Sequence, residues 1–413
     1  MPTSAPKIGE APGRLDFLGG VADYSGALVL QTPTRCTTRV TLEPMAEDAV
    51  ECRAGDLALH RVPLAPLRAI LESEAEWPEM RAVLAELAAP HWTLYLLGCL
   101  LVFARAKRWL PSGGLRFAVK SDVPQSLGVS SSAALEIATL RALAAFAEAT
   151  FEGNEIAHLG QCAENRIVGA PCGIMDQLAS AFGEPGKLLP ILCRPDLRRE
   201  PAPLPDGVCV VGWPSAVKHA VSGSPYGTAR NASFMGKRIL ERALGQRLHH
   251  TSEAPAALLY DLFGKSGFNV VRGDSFLQRY GGVDDPLSRV EPDRDYPVHA
   301  ATAFAIEENA RCESALSLLA ACTPANRRDV LPQIGDLLDQ SHQAYSRMGL
   351  GAPETDQMVA AVRRLGAEKG FYGARISGGG SGGTVVVFCE REALPALAEL
   401  GREVQGDPPQ LIF

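Results

Sequence analysis

The pattern of apolar and polar positions predicts strands and helices in alternation along most of the chain. Leu135 to Ala149 consists almost wholly of strong helix formers, with Ile137, Leu140, Leu143 and Ala147 recurring on one side. Ahead of it, Gly114 to Ser121 alternates as a strand should, and Trp92 to Arg105 reads as a buried helix. Ala27 to Leu30 predicts a buried strand, Thr37 to Val62 short strands and turns, and the stretch on to Pro90 acidic helices. Asn154 can cap a helix running to Val168, in which Ile156, Leu159, Ala163 and Ile167 share a face and Glu164 lies on the flank. The sequence Gly169-Ala-Pro-Cys-Gly-Ile-Met-Asp-Gln then breaks that helix and starts another, with Asp176 near its beginning.

In the second half, Val208 to Val211 predicts a short strand. Lys218-His219 and Gly223 to Arg230, the latter containing Tyr226, predict a polar turn region. Gly264 to Pro297 is rich in Gly, Asp and Arg and is expected to include exposed, mobile loop. Ala300 to Ala321 and Arg327 to Tyr345 read as amphipathic helices that begin or continue a second domain. Gly378, Gly379, Gly380, Gly382 and Gly383 run directly into a strand signal at Thr384 to Phe388. Glycine runs are most often linkers, but one inside a domain that feeds a strand favours a tight loop that admits a backbone or a ligand.

Composition narrows the class. A chain of 413 residues with 46% hydrophobic and 21% charged residues is long enough for two cores. A net charge of −7, with no basic run interleaved with aromatics, argues against a general nucleic-acid binder. The ten cysteines show neither a C-x-x-C pair nor zinc-ligand spacing, so they read as reduced, which points to the cytoplasm. Trp92 to Ala104, the longest apolar run, falls short of the roughly 20 residues a membrane span needs.

The candidate chemistry centres on Pro124 to Glu136. Gly128 lets a ligand approach the backbone, and Ser130, Ser131 and Ser132 set hydroxyls beside the N–H groups of a helix N-terminus, which attracts anions. No Gly-Lys-Ser/Thr follows, so this is not a Walker A loop; a plain serine cap is the simpler reading of the segment alone. Near the start, Arg14, Asp16 and Asp23 sit among turn formers; Arg14 and Asp23 suit either a surface ion pair or, for Arg14, a phosphoryl clamp. Asp176 alone reads as a charge at a helix N-terminus.

Taken in order, Gly-Arg-Leu-Asp…Asp-Tyr-Ser-Gly, Pro-x3-Gly-x-Ser-Ser-Ser-Ala and Gly-Gly-Gly-Ser-Gly-Gly resemble the motifs of the GHMP kinases. Pro171-Cys-Gly-Ile-Met-Asp-Gln, with Ala163-Glu164 upstream, is similar to the catalytic region of the galactokinase branch. The resemblance implies an α/β (α+β) fold of two domains. An N-terminal one, residues 1–205, would carry the ATP loop and catalytic residues, and a C-terminal one, 206–413, the glycine motif near 378–383, with nucleotide and sugar in the cleft between them. It further implies that Ser126, Gly128, Ser130 and Ser131 line the phosphates of ATP and that Ser132 and Glu164 bind Mg²⁺. Asp176 would orient or deprotonate the attacking hydroxyl, two roles left open here, and Arg14 would stabilise charge in transfer. Arg14, Asp23, the Gly173 backbone, Asp176 and the Tyr226 hydroxyl would hold the sugar.

One departure carries information. Galactokinases usually read Gly-Glu-His-Thr-Asp-Tyr where this chain reads Gly19-Gly20-Val21-Ala22-Asp23-Tyr24. The polar pair that serves the exocyclic hydroxymethyl of galactose is thus Gly20 and Val21. A hydroxyl placed there would be desolvated without a partner. L-Arabinopyranose has the ring stereochemistry of galactose without that carbon. The same pattern, with Glu164-Asn-Arg-Ile-Val-Gly-Ala-Pro-Cys-Gly and Phe234-Met-Gly-Lys, resembles the kinase portion of plant L-arabinokinases.

The expected activity is therefore ATP-dependent phosphorylation of L-arabinose at carbon 1. A galactokinase with a relaxed pocket is the nearest rival, and a uronic acid kinase is weaker because no Lys or Arg replaces the lost pair. A sugar sensor on a kinase fold is the rival from another class, disfavoured by the presence of Arg14, Ser132, Glu164 and Asp176. A mevalonate-type kinase is disfavoured by Cys-Gly-Ile-Met-Asp-Gln.

Overall fold

A computed structural model describes residues 5–413 except 56, 74, 88, 216–223 and 267–268. The chain folds as mixed α/β in two compact units that it visits alternately. One unit is made of the residues up to Arg14, Thr34–Pro124 and Ser130–Phe182; the other of Leu15–Pro33, Gln125–Val129 and Gly183–Phe413.

In the first unit, strand Gly114–Ser121 pairs antiparallel with residues 38–45 of the long strand Leu28–Met45 and parallel with Ala49–Ala54, which in turn pairs with His60–Pro63. Helices His91–Lys107 and Ser131–Ala147 are apolar nearly all round and bury Leu96, Leu100, Phe103, Ile137, Leu140 and Leu143 in one core with Val40, Val50 and Phe117. Strand residue Gly9 lies so close to the second of these helices that a Cβ would stand 1.9 Å from the Ala138 carbonyl oxygen. The expected helices and strand of this region are all present, and the helix after the serines begins four residues earlier than its strong formers, at Ser131.

The second unit contains an antiparallel sheet in the order Phe371–Ile376, Thr384–Glu390, Val208–Pro214. Its central strand runs Val385, Val386, Val387 and Phe388, all fully buried, as a strand covered on both faces requires. Helix Arg327–Arg347 lies directly on Phe371–Ile376 through two glycines, since a Cβ on Gly335 would stand 1.8 Å from the Tyr372 carbonyl oxygen. Residues 28–31 pair with Leu189–Leu192 of strand Lys187–Leu192. A separate core joins Met235, Phe263, Phe276, Phe304 and Tyr345 from helices Ser224–Leu244, Ala256–Ser266, Gly273–Tyr280, Val298–Ala321 and Arg327–Arg347.

One expectation needs correction. Residues 224–230, read as polar turn, open helix Ser224–Leu244; its polar positions are satisfied by pairing, as in the fork of Arg230 onto Asp285. Lys218-His219 and Gly223 lie outside the described residues. The stretch 264–297, expected to include exposed loop, does so over 281–294, and it also carries helix Gly273–Tyr280, which buries Phe276 on one face. All ten cysteines are free thiols. Among the described residues, no helix is long and apolar enough to cross a membrane.

Candidate active site

In the first unit, Arg14 is buried and donates two parallel hydrogen bonds to Asp176, Nε to Oδ1 at 2.9 Å and NH2 to Oδ2 at 3.0 Å. Asp176 is the second residue of helix Met175–Phe182, so its carboxylate sits in the first turn, where the helix dipole favours negative charge. Of the two readings for Arg14, the surface pair gives way to a buried guanidinium fixed on Asp176.

Beside this fork lies a buried polar cluster. The predicted helix to Val168 is α-helical over Glu155–Cys162 and then widens into a π-helical turn, Ala163–Val168, a device common at functional sites. Glu164 stands in that turn. Its backbone carbonyl accepts from Gly169 and Ala170, which closes the turn, and Asn165 holds the next loop by accepting from the Cys172 amide at 2.8 Å. Gly173 follows directly in that strapped loop.

Gln177 bridges two carboxylates, donating from Nε2 to Glu164 at 2.7 Å and to Glu136 at 3.0 Å. Burial, with the charge of Asp176, pushes Glu164 up to about 7, while hydrogen bonds from Cys172, Ser132 and Gln177 pull it down. Burial, with the charge of Glu164, holds Glu136 well above the ordinary carboxylate range. Burial pushes the Cys172 thiol well up, which leaves it a poor nucleophile. Sequence reasoning passed over Glu136 and Gln177. The available signal was one acidic residue inside a run of alanines and leucines that reads as core.

Ser130 caps helix Ser131–Ala147 from a left-handed conformation, φ 57°, and its buried hydroxyl has no partner among the described residues. Ser131 and Ser132 form the first turn, and Ser132 reaches Glu164. One hydroxyl and one carboxylate are the kind of sparse oxygen set with which a protein holds magnesium shared with phosphates. Among the described residues, no group of three or more His, Cys, Asp or Glu could hold a metal ion by itself.

The second unit carries the remaining candidates. Ser126 and Gly128 both have positive φ, 60° and 68°. Their turn is tied down where Thr384 donates to the Leu127 carbonyl at 2.7 Å. The glycine turn is no linker: Gly378, Gly380, Gly382 and Gly383 all have positive φ, and a Cβ on Gly380 would stand 2.6 Å from the Leu350 carbonyl oxygen. Gly379 completes the run.

Gly20 to Ser25 form a 3₁₀ turn. Asp23 is buried and accepts from the Tyr24 amide at 2.6 Å. Tyr24 meets Tyr226 edge-on at 6.1 Å, so the segment carrying Asp23 and the helix carrying Tyr226 converge. Arg230 lies 4.9 Å over the Tyr24 ring and is anchored on Asp285. Gly20 and Val21 are buried against Tyr345, whose hydroxyl accepts from the Val21 amide at 2.9 Å and donates to the Gly378 carbonyl at 2.7 Å. Beneath them Asp16 and Arg375 form a fully buried ion pair at 2.7 Å, in which Asp16 also accepts from the Gly20 amide.

Residues 95–184 match the family model for the GHMP kinases N terminal domain, and residues 323–404 that for the GHMP kinases C terminal. An L-arabinokinase of Arabidopsis thaliana is 31% identical over 441 residues, covering 92% of this chain and 42% of that protein. The chain thus spans about two fifths of that relative's length. A galactokinase of Chloroflexus aggregans (strain MD-66 / DSM 9485) is 32% identical over 390 residues, 94% of this chain and 84% of that protein. Among solved structures, Lactococcus lactis galactokinase complexed with galactose shares the fold with a TM-score of 0.76 at 20% identity, covering 99% of this chain and 93% of that one. Methanococcus jannaschii mevalonate kinase does so with a TM-score of 0.59 at 17% identity, covering 98% and 96%.

Proposed function

Because the chain belongs to the GHMP kinase family, whose sugar kinases take their phosphoryl group from ATP, we propose that it is a sugar 1-kinase converting L-arabinose to L-arabinose 1-phosphate. The kinase reading is supported by the fork of Arg14 onto Asp176 next to the Glu164 cluster. The choice of arabinose rests on one observation: positions 20 and 21 are a glycine and a buried valine, which offer a sugar no polar side chain.

In this reading Ser126, Gly128, Ser130 and Ser131 line the phosphates, with the helix N-terminus of Ser131–Ala147 favouring their charge. Ser132 and Glu164 hold Mg²⁺, which neutralises phosphate charge when bound. Asp23, the Gly173 backbone and the Tyr226 hydroxyl hold the sugar ring. The anomeric oxygen attacks the γ-phosphorus as the bond to the β,γ-bridging oxygen breaks. ADP leaves, and the hydroxyl proton passes to Asp176 or, where Asp176 only orients the hydroxyl, to water. Arg14 fixes the Asp176 carboxylate and places positive charge where negative charge is moving.

A galactokinase is the second reading, favoured by the galactokinase relative that the chain covers over most of its length. The deciding experiment measures ATP consumption with L-arabinose, D-galactose and D-galacturonate and locates the phosphorylated carbon by phosphorus NMR. Preference for L-arabinose at carbon 1 supports the proposal. Preference for galactose overturns the choice of sugar and keeps the kinase. No turnover with any sugar overturns both and favours a sensor.

A further inference from the structure

We propose that Tyr345 is a positioning residue for sugar selection, holding the Gly20–Val21 backbone to the glycine turn and filling the space that any side chain at position 20 would need. This rests on the reading of Gly20 and Val21 as part of the sugar pocket.

Tyr345 comes from helix Arg327–Arg347, more than 320 residues after the segment it touches, as the separation of 324 between Val21 and Tyr345 records. A Cβ built on Gly20 would stand 1.8 Å from the Tyr345 Oη, 2.8 Å from its Cζ and 3.0 Å from Arg375 NH2. The first two distances are shorter than any van der Waals contact allows, and the φ of Gly20, 49°, adds strain for a residue with a side chain. Position 20 is therefore no open gap left by a missing polar side chain. Glycine there is a condition that Tyr345 imposes.

The ring cannot easily move aside. It is fully buried, meets Phe304 edge-on at 5.2 Å, and has the Arg375 guanidinium 4.9 Å from its centre on one face. Its hydroxyl is fixed by chemistry as well as by packing. The Val21 amide can only donate and the Gly378 carbonyl can only accept, so the single phenolic proton must point at Gly378. Burial raises this phenol above its ordinary value, so it keeps that proton.

The test compares wild type, Gly20→Ala, Tyr345→Phe and the double variant. It reads kcat/KM and KM for L-arabinose and D-galactose, KM for ATP, and thermal unfolding. Loss of the hydroxyl frees two backbone groups, and Tyr345→Phe is expected to raise the sugar KM about tenfold without changing the KM for ATP. Gly20→Ala is expected to cost about tenfold less in kcat/KM in the Tyr345→Phe background than in wild type, a coupling read directly from the cycle. Equal costs in both backgrounds, or a parallel rise of both KM values, overturn the proposal. Should Tyr345→Phe not fold, Gly20→Ala alone decides: a rise in KM confined to the sugar supports the proposal, and a parallel rise of the sugar and ATP values overturns it. Wild-type protein that phosphorylates no sugar overturns the parent reading and this proposal with it, whereas turnover without coupling overturns this proposal alone.

Discussion

Arg14 grips Asp176 at both carboxylate oxygens, and the two ends of the fork are unequally buried, with side-chain exposure of 3% and 22%. The guanidinium is fixed inside the protein while the carboxylate keeps an accessible edge. Asp176→Asn keeps the shape and removes the charge. Turnover is expected to fall by about 10² to 10⁴-fold with ATP affinity unchanged, as measured by steady-state kinetics and nucleotide titration. Near-normal turnover would remove Asp176 from the mechanism.

Glu136 gives a pH signature. Burial and the neighbouring Glu164 raise it well above its ordinary value of 4.5, so the folded protein keeps a proton that the unfolded chain releases. Its contribution to stability is then fully present below about pH 4.5 and is lost as pH rises through the folded value. Glu136→Gln is neutral throughout and should flatten this slope. Melting temperatures measured from about pH 5 to pH 8 should fall more steeply for wild type than for the variant, and parallel curves would show that Glu136 is ionised in the folded state.

The pair Asp16–Arg375 has no solvent exposure, and Asp16 also accepts from Gln31 Nε2 at 2.7 Å. Arg375→Met leaves that carboxylate buried without its cation. A loss of about 3–5 kcal/mol is expected, read from the denaturant midpoint. Asp16→Asn leaves the Arg375 guanidinium buried without its anion and turns an amide NH2 toward Arg375 and Gly378, so it should cost at least as much.

Gly335→Ala places a methyl group into the Tyr372 carbonyl, and Gly373 opposite leaves no slack. Helix and strand must part, at a cost of about 1–3 kcal/mol. A melting temperature equal to that of wild type would show that the helix rides higher on the strand than described.

Restoring a polar pair at the start of the sugar segment, Gly20→Glu with Val21→His, is expected to abolish sugar turnover while Tyr345 keeps its place over position 20. Gain of galactose turnover is expected only when Tyr345 is also shortened. A substrate profile shifted to galactose by the two changes alone would mean that the ring yields readily.

Much of the first unit was legible because its elements announce themselves locally. The helix from Ser131, the strand Gly114–Ser121 and the placement of Asp176 in a first helical turn all follow from patterns within about twenty residues. What escaped was set by partners far along the chain. Asp16 finds Arg375 across 359 residues, and nothing near either one marks it as buried. The π-helical turn at Glu164 is defined by wider backbone hydrogen bonding, which no residue type in Ala163–Val168 marks. Ser224–Leu244 was misread at its start because its polar residues face other charged groups inside the unit, which composition alone cannot distinguish from a solvated turn.

The alternation of the chain between its two units also orders its birth. Every segment of the first unit exists once Phe182 has been made. In the second, residues 28–31 meet their partners Leu189–Leu192 soon afterwards, whereas Asp16 waits for Arg375, 359 residues further on. The second unit is therefore completed after the first, and the ion pair under Gly20 is among the contacts that the growing chain can make only late.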